Sequence, residues 1–417
     1  MGVKNARRPA LRVGMIAMSD LDFPKYLSGM PYQMAKALRQ QEIEIIPIPA
    51  YEQTGKPPSI PSTVRNRLWR ILHPRTPVQF QKSLDNLLPG RTRSAVLSHA
   101  LLLSQTTQKN LDQLLEHGEQ LDAIFGCCTS TAMYNLKTDL PLIYFSDATP
   151  ILLRTNYPTY TSRGPSFHAA LTEVEKTSVA KATQAIFAST IAQQSAIADL
   201  GMDPVKTTVV AMGANVYPND PATVVAPAEP PTREKCELLI VAADPIRKRV
   251  DFAIQITELL RQRGTNAVLH VVGPRTRLSN RSDAVEAVGP LRPSDPEDRT
   301  RQQHLLRNCH LQLLPSLGEA YGIAPIESAH FARPSIVSSA GGLPFVVLDR
   351  QTGIVLDVKN DALTWAMAIE SLIDDPDRYC MMSRRALRRA RSELNWSVWG
   401  EKISSLMVEQ IRASQTK

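Results

Sequence analysis

The chain has 417 residues, of which 43% are hydrophobic and 21% are charged, and its basic residues exceed its acidic residues by eight. A chain of this length and apolar content can bury two cores, and we expect two or three domains. Its longest apolar runs stay below the roughly 18 residues of a membrane span, so we expect no transmembrane helix.

Cysteine usage and the N-terminal region bear on the compartment. The five cysteines are an odd number, and Cys127 and Cys128 are adjacent, so they give no disulfide framework and indicate a reducing compartment. The first apolar run contains Arg12 and is better interpreted as a strand than as a signal peptide. We therefore expect a cytoplasmic protein. The histidines lack metal-ligand spacing, and no metal site is predicted.

The first half of the chain alternates short apolar strands with helical patterns. A strand, a glycine turn at residues 28–32, a helix and a second strand form a βαβ unit, which indicates a parallel sheet. Glu173 is predicted to open a later helix. The predicted strands of this half are residues 11–18, 43–46, 121–125, 142–145 and 185–188.

The second half repeats this alternation after a linker at residues 217–235, which contains five prolines. Strands are predicted at 236–241, 267–272 and 311–314, and helices from Val250, from Gly322 and from Arg384. The pattern predicts an α/β protein with two halves of similar size on either side of the linker.

Residues 314–357 form the most informative segment. Two carboxylates, Glu319 and Glu327, lie eight positions apart where a strand meets a helix that begins near Gly322. The free N–H groups of such a helix end bind diphosphates readily. Glu327 could accept hydrogen bonds from a ribose diol, and Glu319 could reach a sugar. The segment therefore suits a nucleotide sugar.

A basic group supports the same interpretation. Arg247, Lys248 and Arg249 stand at the predicted start of a helix, where cations oppose the helix dipole. A bound diphosphate would supply the missing negative charge. The alternative is a solvated basic turn.

These residues resemble the Glu-x7-Glu signature of retaining glycosyltransferases of family 4. Asp244, Arg247 and Lys248 keep the family's places in the second motif. The chain departs from the signature at Ala320 and from the second motif at Ala242 and Arg249, where glycine is usual, and it has Tyr321 in place of Phe and Phe345 in place of an acid. The matching positions of the signature are Pro315, Ser316, Glu319, Gly322, Ile323, Glu327, Pro334, Ser338, Gly341, Gly342 and Pro344.

The resemblance implies an α/β GT-B fold, with two Rossmann-like domains facing across a cleft. The expected division is 1–216, the linker 217–235, 236–390, and a C-terminal helix at 391–417 that crosses back to the first domain. The resemblance also implies an enzyme that moves a hexose from a UDP- or GDP-sugar to a hydroxyl acceptor with retention, in polysaccharide, glycolipid or glycoconjugate synthesis. It implies no cofactor and no metal, since cations and the helix end would stabilise the leaving diphosphate. The expected catalytic residues are Glu319, Lys248, Arg247 and Asp147. The expected donor-binding residues are Glu327, Gly322, Tyr321, Ile323, Gly29 and Gly273.

Asp147 has a second argument, because it follows a strand at the sheet edge where α/β proteins bind ligands. The alternative for Asp147 is a capping aspartate. Two other functions stay open for the whole chain: a sugar-nucleotide epimerase or hydrolase on the same fold, and a non-catalytic relative that binds nucleotide sugars. Thermal shifts with a panel of nucleotide sugars would narrow these choices.

The basic excess concentrates at residues 56–93, which hold eight basic residues and one acidic residue. Arg65, Arg67 and Arg70 flank an apolar helical pattern that could rest on an anionic membrane or receive a phosphorylated acceptor. A solvated helix on the first domain is the alternative. We expect no nucleic-acid partner, since no nucleic-acid-binding module accompanies the charge.

Overall fold

The computed structural model describes residues 11–22, 26–51, 89–216, 229–274, 283–292 and 295–416. Most of the basic segment, including Arg65, Arg67 and Arg70, lies outside these ranges, as do residues 217–228 of the predicted linker. Within the described ranges, the helices all lack the length and apolar character needed to cross a bilayer.

The first half builds a six-stranded parallel sheet in the order β2-β1-β3-β4-β5-β6. Its strands are β1 Arg12–Ala17, β2 Glu44–Pro49, β3 Ala123–Cys127, β4 Leu142–Ser146, β5 Gln184–Phe187 and β6 Thr207–Val209. Its helices are α1 Met30–Arg39, α2 Pro89–Glu116, α3 Ser130–Met133, α4 Pro150–Asn156, α5 Pro158–Thr161, α6 Pro165–Val179 and α7 Thr190–Leu200, with short 3-10 turns at Tyr26–Gly29 and Pro204–Lys206.

The second half builds another six-stranded parallel sheet, in the order β12-β11-β10-β7-β8-β9. Its strands are β7 Cys236–Val241, β8 Ala267–Val272, β9 Val285–Gly289, β10 Leu311–Leu314, β11 Ser335–Ser338 and β12 Gly353–Leu356. Its helices are α8 Val250–Gln262, α9 Pro296–Asn308, α10 Ile323–His330, α11 Leu343–Val346, α12 Ala362–Ile373 and α13 Pro376–Ser392; α14 Trp396–Gln415 follows. The predicted class, two parallel-sheet α/β domains, is confirmed.

Two helix starts differ from the prediction. Helix α6 begins at Pro165 rather than near Glu173, since proline suits the first helical turn and Phe167, Ala170 and Val174 form an apolar face against α2. The basic helix begins at Pro376 rather than Arg384, because Asp375 caps it by accepting the N–H of Arg378. Both helices begin with proline, which disfavours a helix interior but suits the first turn.

The last helix, α14, packs on the first domain. Trp399 is fully buried and lies edge-on to Phe125 and Phe145, with ring centroids 6.1 and 5.8 Å away. The indole N–H of Trp396 donates to the carbonyl of Ala214 at 2.9 Å. One buried apolar cluster includes this helix, the first sheet, and Tyr321 and Ile326 of the second domain. The two domains therefore meet through an apolar contact.

Candidate functional site

The site forms where the carboxyl ends of the strands meet. In the second sheet β7 and β10 are neighbours, so the segments that follow them lie side by side. The backbone N–H of Leu317, after β10, donates to the carbonyl of Arg247, after β7, at 2.8 Å. This bond fixes the loop of Glu319 against the turn that carries Arg247 and Lys248.

Glu319 is the centre of a buried ion cluster. One oxygen, Oε1, lies 2.8 Å from Arg247 Nη1 and 3.4 Å from Lys248 Nζ, and it accepts the hydroxyl of Ser316 at 3.0 Å. The side chains of the two cations are 12% exposed and that of Glu319 is 8% exposed. Burial alone would raise the pKa of Glu319, but the charges of Lys248 and Arg247 outweigh it and the pKa falls. Glu319 is therefore an ionised carboxylate.

The basic side chains of the turn after β7 point in two directions. Asp244 accepts the backbone N–H of Arg247 at 3.1 Å, and Arg247 Nη1 also donates to the carbonyl of Gly318 at 2.6 Å. Arg249 has φ 53° at the start of α8, a conformation typical of glycine, and its guanidinium lies over Phe252 and donates to the carbonyl of Val358. Only Arg247 and Lys248 of the basic group therefore join Glu319, and the chain keeps the backbone conformation that glycine usually provides here.

Glu327 lies on α10 beneath this cluster. Its Oε1 accepts the backbone N–H of Val216 at 3.2 Å, and its Oε2 accepts from the Gln302 amide at 3.3 Å. Burial raises the pKa of Glu327 to about 8, although the bond from Val216 and the charge of Lys248 oppose the rise. The carboxyl group thus carries a proton over most of the neutral pH range in this ligand-free arrangement.

Close packing explains two glycines of the signature. Gly322 has φ 107° and caps the start of α10, and a Cβ there would lie 2.6 Å from Leu343. A Cβ on Gly342 would lie 2.6 Å from the carbonyl oxygen of Ala320. Ala320 itself is not among the described residues with positive φ. Its methyl group therefore requires no strained backbone.

The other predicted donor-binding residues lie in both domains. The Tyr321 hydroxyl donates to the Met212 carbonyl of the first domain at 3.2 Å, and Ile323 is half-buried against the shared apolar cluster. Gly273 follows β8, and a Cβ there would meet the carbonyl of Ala242. Gly29, with φ 82°, precedes α1, and the neighbouring Ser28 carbonyl accepts from the Asn215 amide at 2.6 Å. Tyr321 contacts the first domain, and Gly29 lies within that domain.

Asp147 follows β4 on the first-domain side of the cleft. It is half-buried, and Cys128 Sγ lies 3.8 Å from its Oδ1. Burial raises the pKa of Asp147, and the negative charge of Glu319 adds to the rise. The structure therefore brings Asp147, predicted to orient an acceptor, within electrostatic range of the Glu319 cluster.

Tyr157 is a site residue that was not predicted from the sequence. It follows α4, its hydroxyl accepts the backbone N–H of Ala320 at 2.9 Å, and its ring lies 4.7 Å from the guanidinium carbon of Arg247. Gln302 beside Glu327 was also missed. The only available signal for Tyr157 was its place shortly after a strand end, in a stretch without clear periodicity.

Comparison with known proteins agrees with this geometry. The model of the family "Glycosyl transferases group 1" matches residues 227–389, which include the whole Glu319 cluster. A D-inositol 3-phosphate glycosyltransferase of Corynebacterium kroppenstedtii is 32% identical over 122 residues, which are 29% of this chain and 26% of that protein. The chain thus matches about a quarter of that relative's length.

Solved structures match over nearly the full chain. Sucrose-phosphate synthase from Thermosynechococcus elongatus has a TM-score of 0.66 at 16% identity, covering 97% of this chain and 100% of that one. Anabaena Alr3699/HepE in complex with UDP and glucose has a TM-score of 0.58 at 15% identity, covering 96% and 100%. At these identities the likeness concerns the fold alone. The chain has the GT-B fold, and its residues 227–389 match the model of the group 1 glycosyl transferases.

Proposed function

We propose that this protein transfers a hexose from a nucleoside diphosphate sugar to a hydroxyl acceptor, with retention of the anomeric configuration. The observation that carries the proposal is the buried cluster in which Glu319 holds both Arg247 and Lys248 at the carboxyl ends of β7 and β10. Arg247 and Lys248 carry two positive charges but share one carboxylate oxygen, so they can bind a further negatively charged group. A diphosphate supplies that charge.

The chemistry follows from the placement of these groups. As the bond between the anomeric carbon and the diphosphate oxygen breaks, negative charge develops on the diphosphate, and Lys248 and Arg247 stabilise it. Glu319, relieved of part of its ion pairing, accepts a hydrogen bond from a sugar hydroxyl. The acceptor oxygen bonds to the anomeric carbon, and its proton passes to the leaving phosphate. Asp147, across the cleft, orients the acceptor.

Glu327 and the start of α10 hold the nucleoside part. Glu327 lies within range of the Lys248 charge, and both of its oxygens face polar groups rather than apolar side chains. A ribose diol that replaces these partners would satisfy the same carboxyl oxygens. The UDP in the complex of Anabaena Alr3699/HepE supports a nucleotide as ligand for this fold.

A ligand panel tests the proposal. Thermal shift with UDP-glucose, GDP-mannose and ADP-glucose identifies the donor, and release of nucleoside diphosphate in the presence of candidate acceptors measures transfer. The anomeric configuration of the product, read by NMR, tests retention. Donor consumption without any acceptor would favour a hydrolase or epimerase, and binding without turnover by any acceptor would favour a non-catalytic relative.

A further inference from the structure

Tyr157 links the two domains at the edge of the proposed sugar site. It stands between α4 and Pro158 in extended conformation, with φ −118° and ψ 117°. Its hydroxyl and ring contact Ala320 and Arg247, both on the second domain. Tyr157 of the first domain therefore contacts the loop of Glu319 and the cation Arg247, which bind the donor in the proposed function.

The N–H of Ala320 is a suitable donor for a sugar hydroxyl. The Tyr157 hydroxyl that accepts this N–H also lies within range of the Glu319 charge, so a carboxylate acceptor and an N–H donor lie near one hydroxyl. A hydroxyl group can use both at once, since it donates one hydrogen bond and accepts others. The Tyr157 hydroxyl already takes this N–H at 2.9 Å. Burial raises the pKa of Tyr157, and the charge of Glu319 adds to the rise, so the group is a neutral hydroxyl like that of a sugar.

We propose that the Tyr157 hydroxyl occupies the place of a donor hexose hydroxyl at the Ala320 N–H, and that a sugar nucleotide must displace it to bind. This inference rests on the proposed function. It makes Tyr157 a specificity-determining residue, because a nucleoside diphosphate without a sugar has no hydroxyl to place there and leaves Tyr157 where it is. Displacement also frees the Tyr157 side chain on the first-domain side, where Asp147 orients the acceptor in the proposed function.

The discriminating variant is Tyr157→Phe, which keeps the ring against Arg247 and removes only the hydroxyl. Its matched control is Tyr379→Phe, because the Tyr379 hydroxyl donates to the His310 carbonyl at 2.7 Å inside the second domain and has no place in the cleft. Calorimetry measures the affinity of each protein for UDP-glucose and UDP, GDP-mannose and GDP, and ADP-glucose and ADP.

We expect Tyr157→Phe to bind the preferred sugar nucleotide about threefold to tenfold more tightly than the wild type does, the usual effect of removing one competing hydrogen bond. Its affinity for the matching nucleoside diphosphate should not change. Tyr379→Phe should change neither affinity. Without ligand, hydrogen exchange in the peptide that contains Ala320 should be faster in Tyr157→Phe, and UDP-glucose or the preferred donor should slow it again.

The outcomes separate the inference from the proposed function. Equal or weaker sugar-nucleotide binding by Tyr157→Phe, when the wild type binds, overturns the role of Tyr157 and leaves the proposed function standing. A parallel gain for the nucleoside diphosphate also overturns it, since the hydroxyl would then obstruct the nucleotide rather than the sugar. If the wild type binds none of the six ligands, the proposed function fails and the inference fails with it.

Discussion

Glu327 of α10 accepts the backbone N–H of Val216, at the end of the first domain, across 3.2 Å. The bond joins the helix that follows the Glu319 loop to the chain segment that leaves the first domain. The hydrogen bond is buried, and the pKa of its acceptor Glu327 is about 8, so the strength of the bond changes with pH near neutrality.

Stability should therefore fall as pH rises. The folded pKa of Glu327, about 8, lies above its ordinary value of 4.5, so the native state binds more protons than the unfolded state between these limits. This contribution is fully present below pH 4.5 and is lost as pH rises through about 8, with a slope of at most about 1.4 kcal/mol per pH unit. Denaturant unfolding of Glu327→Gln, which cannot ionise, should show a smaller fall over this range. Identical pH profiles would contradict the assignment.

Glu319→Gln should destabilise the ligand-free protein by about 3 kcal/mol, because it removes the buried counter-charge of Lys248 and leaves Arg247 only its longer ion pair with Asp244, at 3.7 Å. The matched control is Glu370→Gln. Glu370 also pairs with two arginines, Arg233 and Arg263, but they are 40% and 41% exposed and water can solvate them. The control should lose less stability and retain sugar-nucleotide binding. Chemical denaturation and calorimetry measure the two effects, and an equal loss in both variants would contradict the buried cluster.

The sequence predicted the fold class because buried parallel strands leave short apolar runs, and β7 and β10 begin and end as predicted. It misplaced the starts of two helices, which begin at Pro165 and Pro376. Proline breaks the interior of a helix but suits its first turn, so a proline within a periodic pattern does not show on which side the helix begins.

The site was partly predictable for a related reason. Glu319, Arg247 and Lys248 come from contiguous motifs that follow neighbouring strands, so their proximity follows from the topology. The contact of Tyr157 with Ala320 spans 163 positions and depends on how two domains meet. Local sequence contains no signal for such an approach, and the same holds for the bond between Glu327 and Val216.

Lys248→Met should lower turnover about a hundredfold or more, since it removes a cation that stabilises the leaving diphosphate. Arg247 still pairs with Glu319 in this variant, so the melting temperature should change little. The matched control is Lys181→Met: Lys181 Nζ donates to the carbonyls of Met133, Tyr134 and Leu136, far along the chain from the Glu319 cluster. The control should keep its turnover. A large fall in the melting temperature of ligand-free Lys248→Met, with turnover preserved, would give Lys248 a structural role instead.

The docking of α14 on α1 depends on Gly400. A Cβ at Gly400 would lie 2.9 Å from the carbonyl oxygen of Ala37, and this oxygen belongs to rigid helix backbone. Gly400→Ala must therefore push the two helices apart, although alanine has the higher helix propensity. We expect a loss of about 1–3 kcal/mol in unfolding free energy, the usual cost of overpacking.

Gly90→Ala provides the matched control, because Gly90 also lies in a helix and a Cβ there would meet nothing within 4 Å. That variant should be as stable as the wild type or slightly more stable. Urea denaturation of both variants measures the difference. Since α14 contributes Trp399 to the core between β3 and β4, Gly400→Ala should also change the tryptophan emission of the native state. Stabilisation by both substitutions would mean that α1 and α14 do not approach each other as closely as the structure places them.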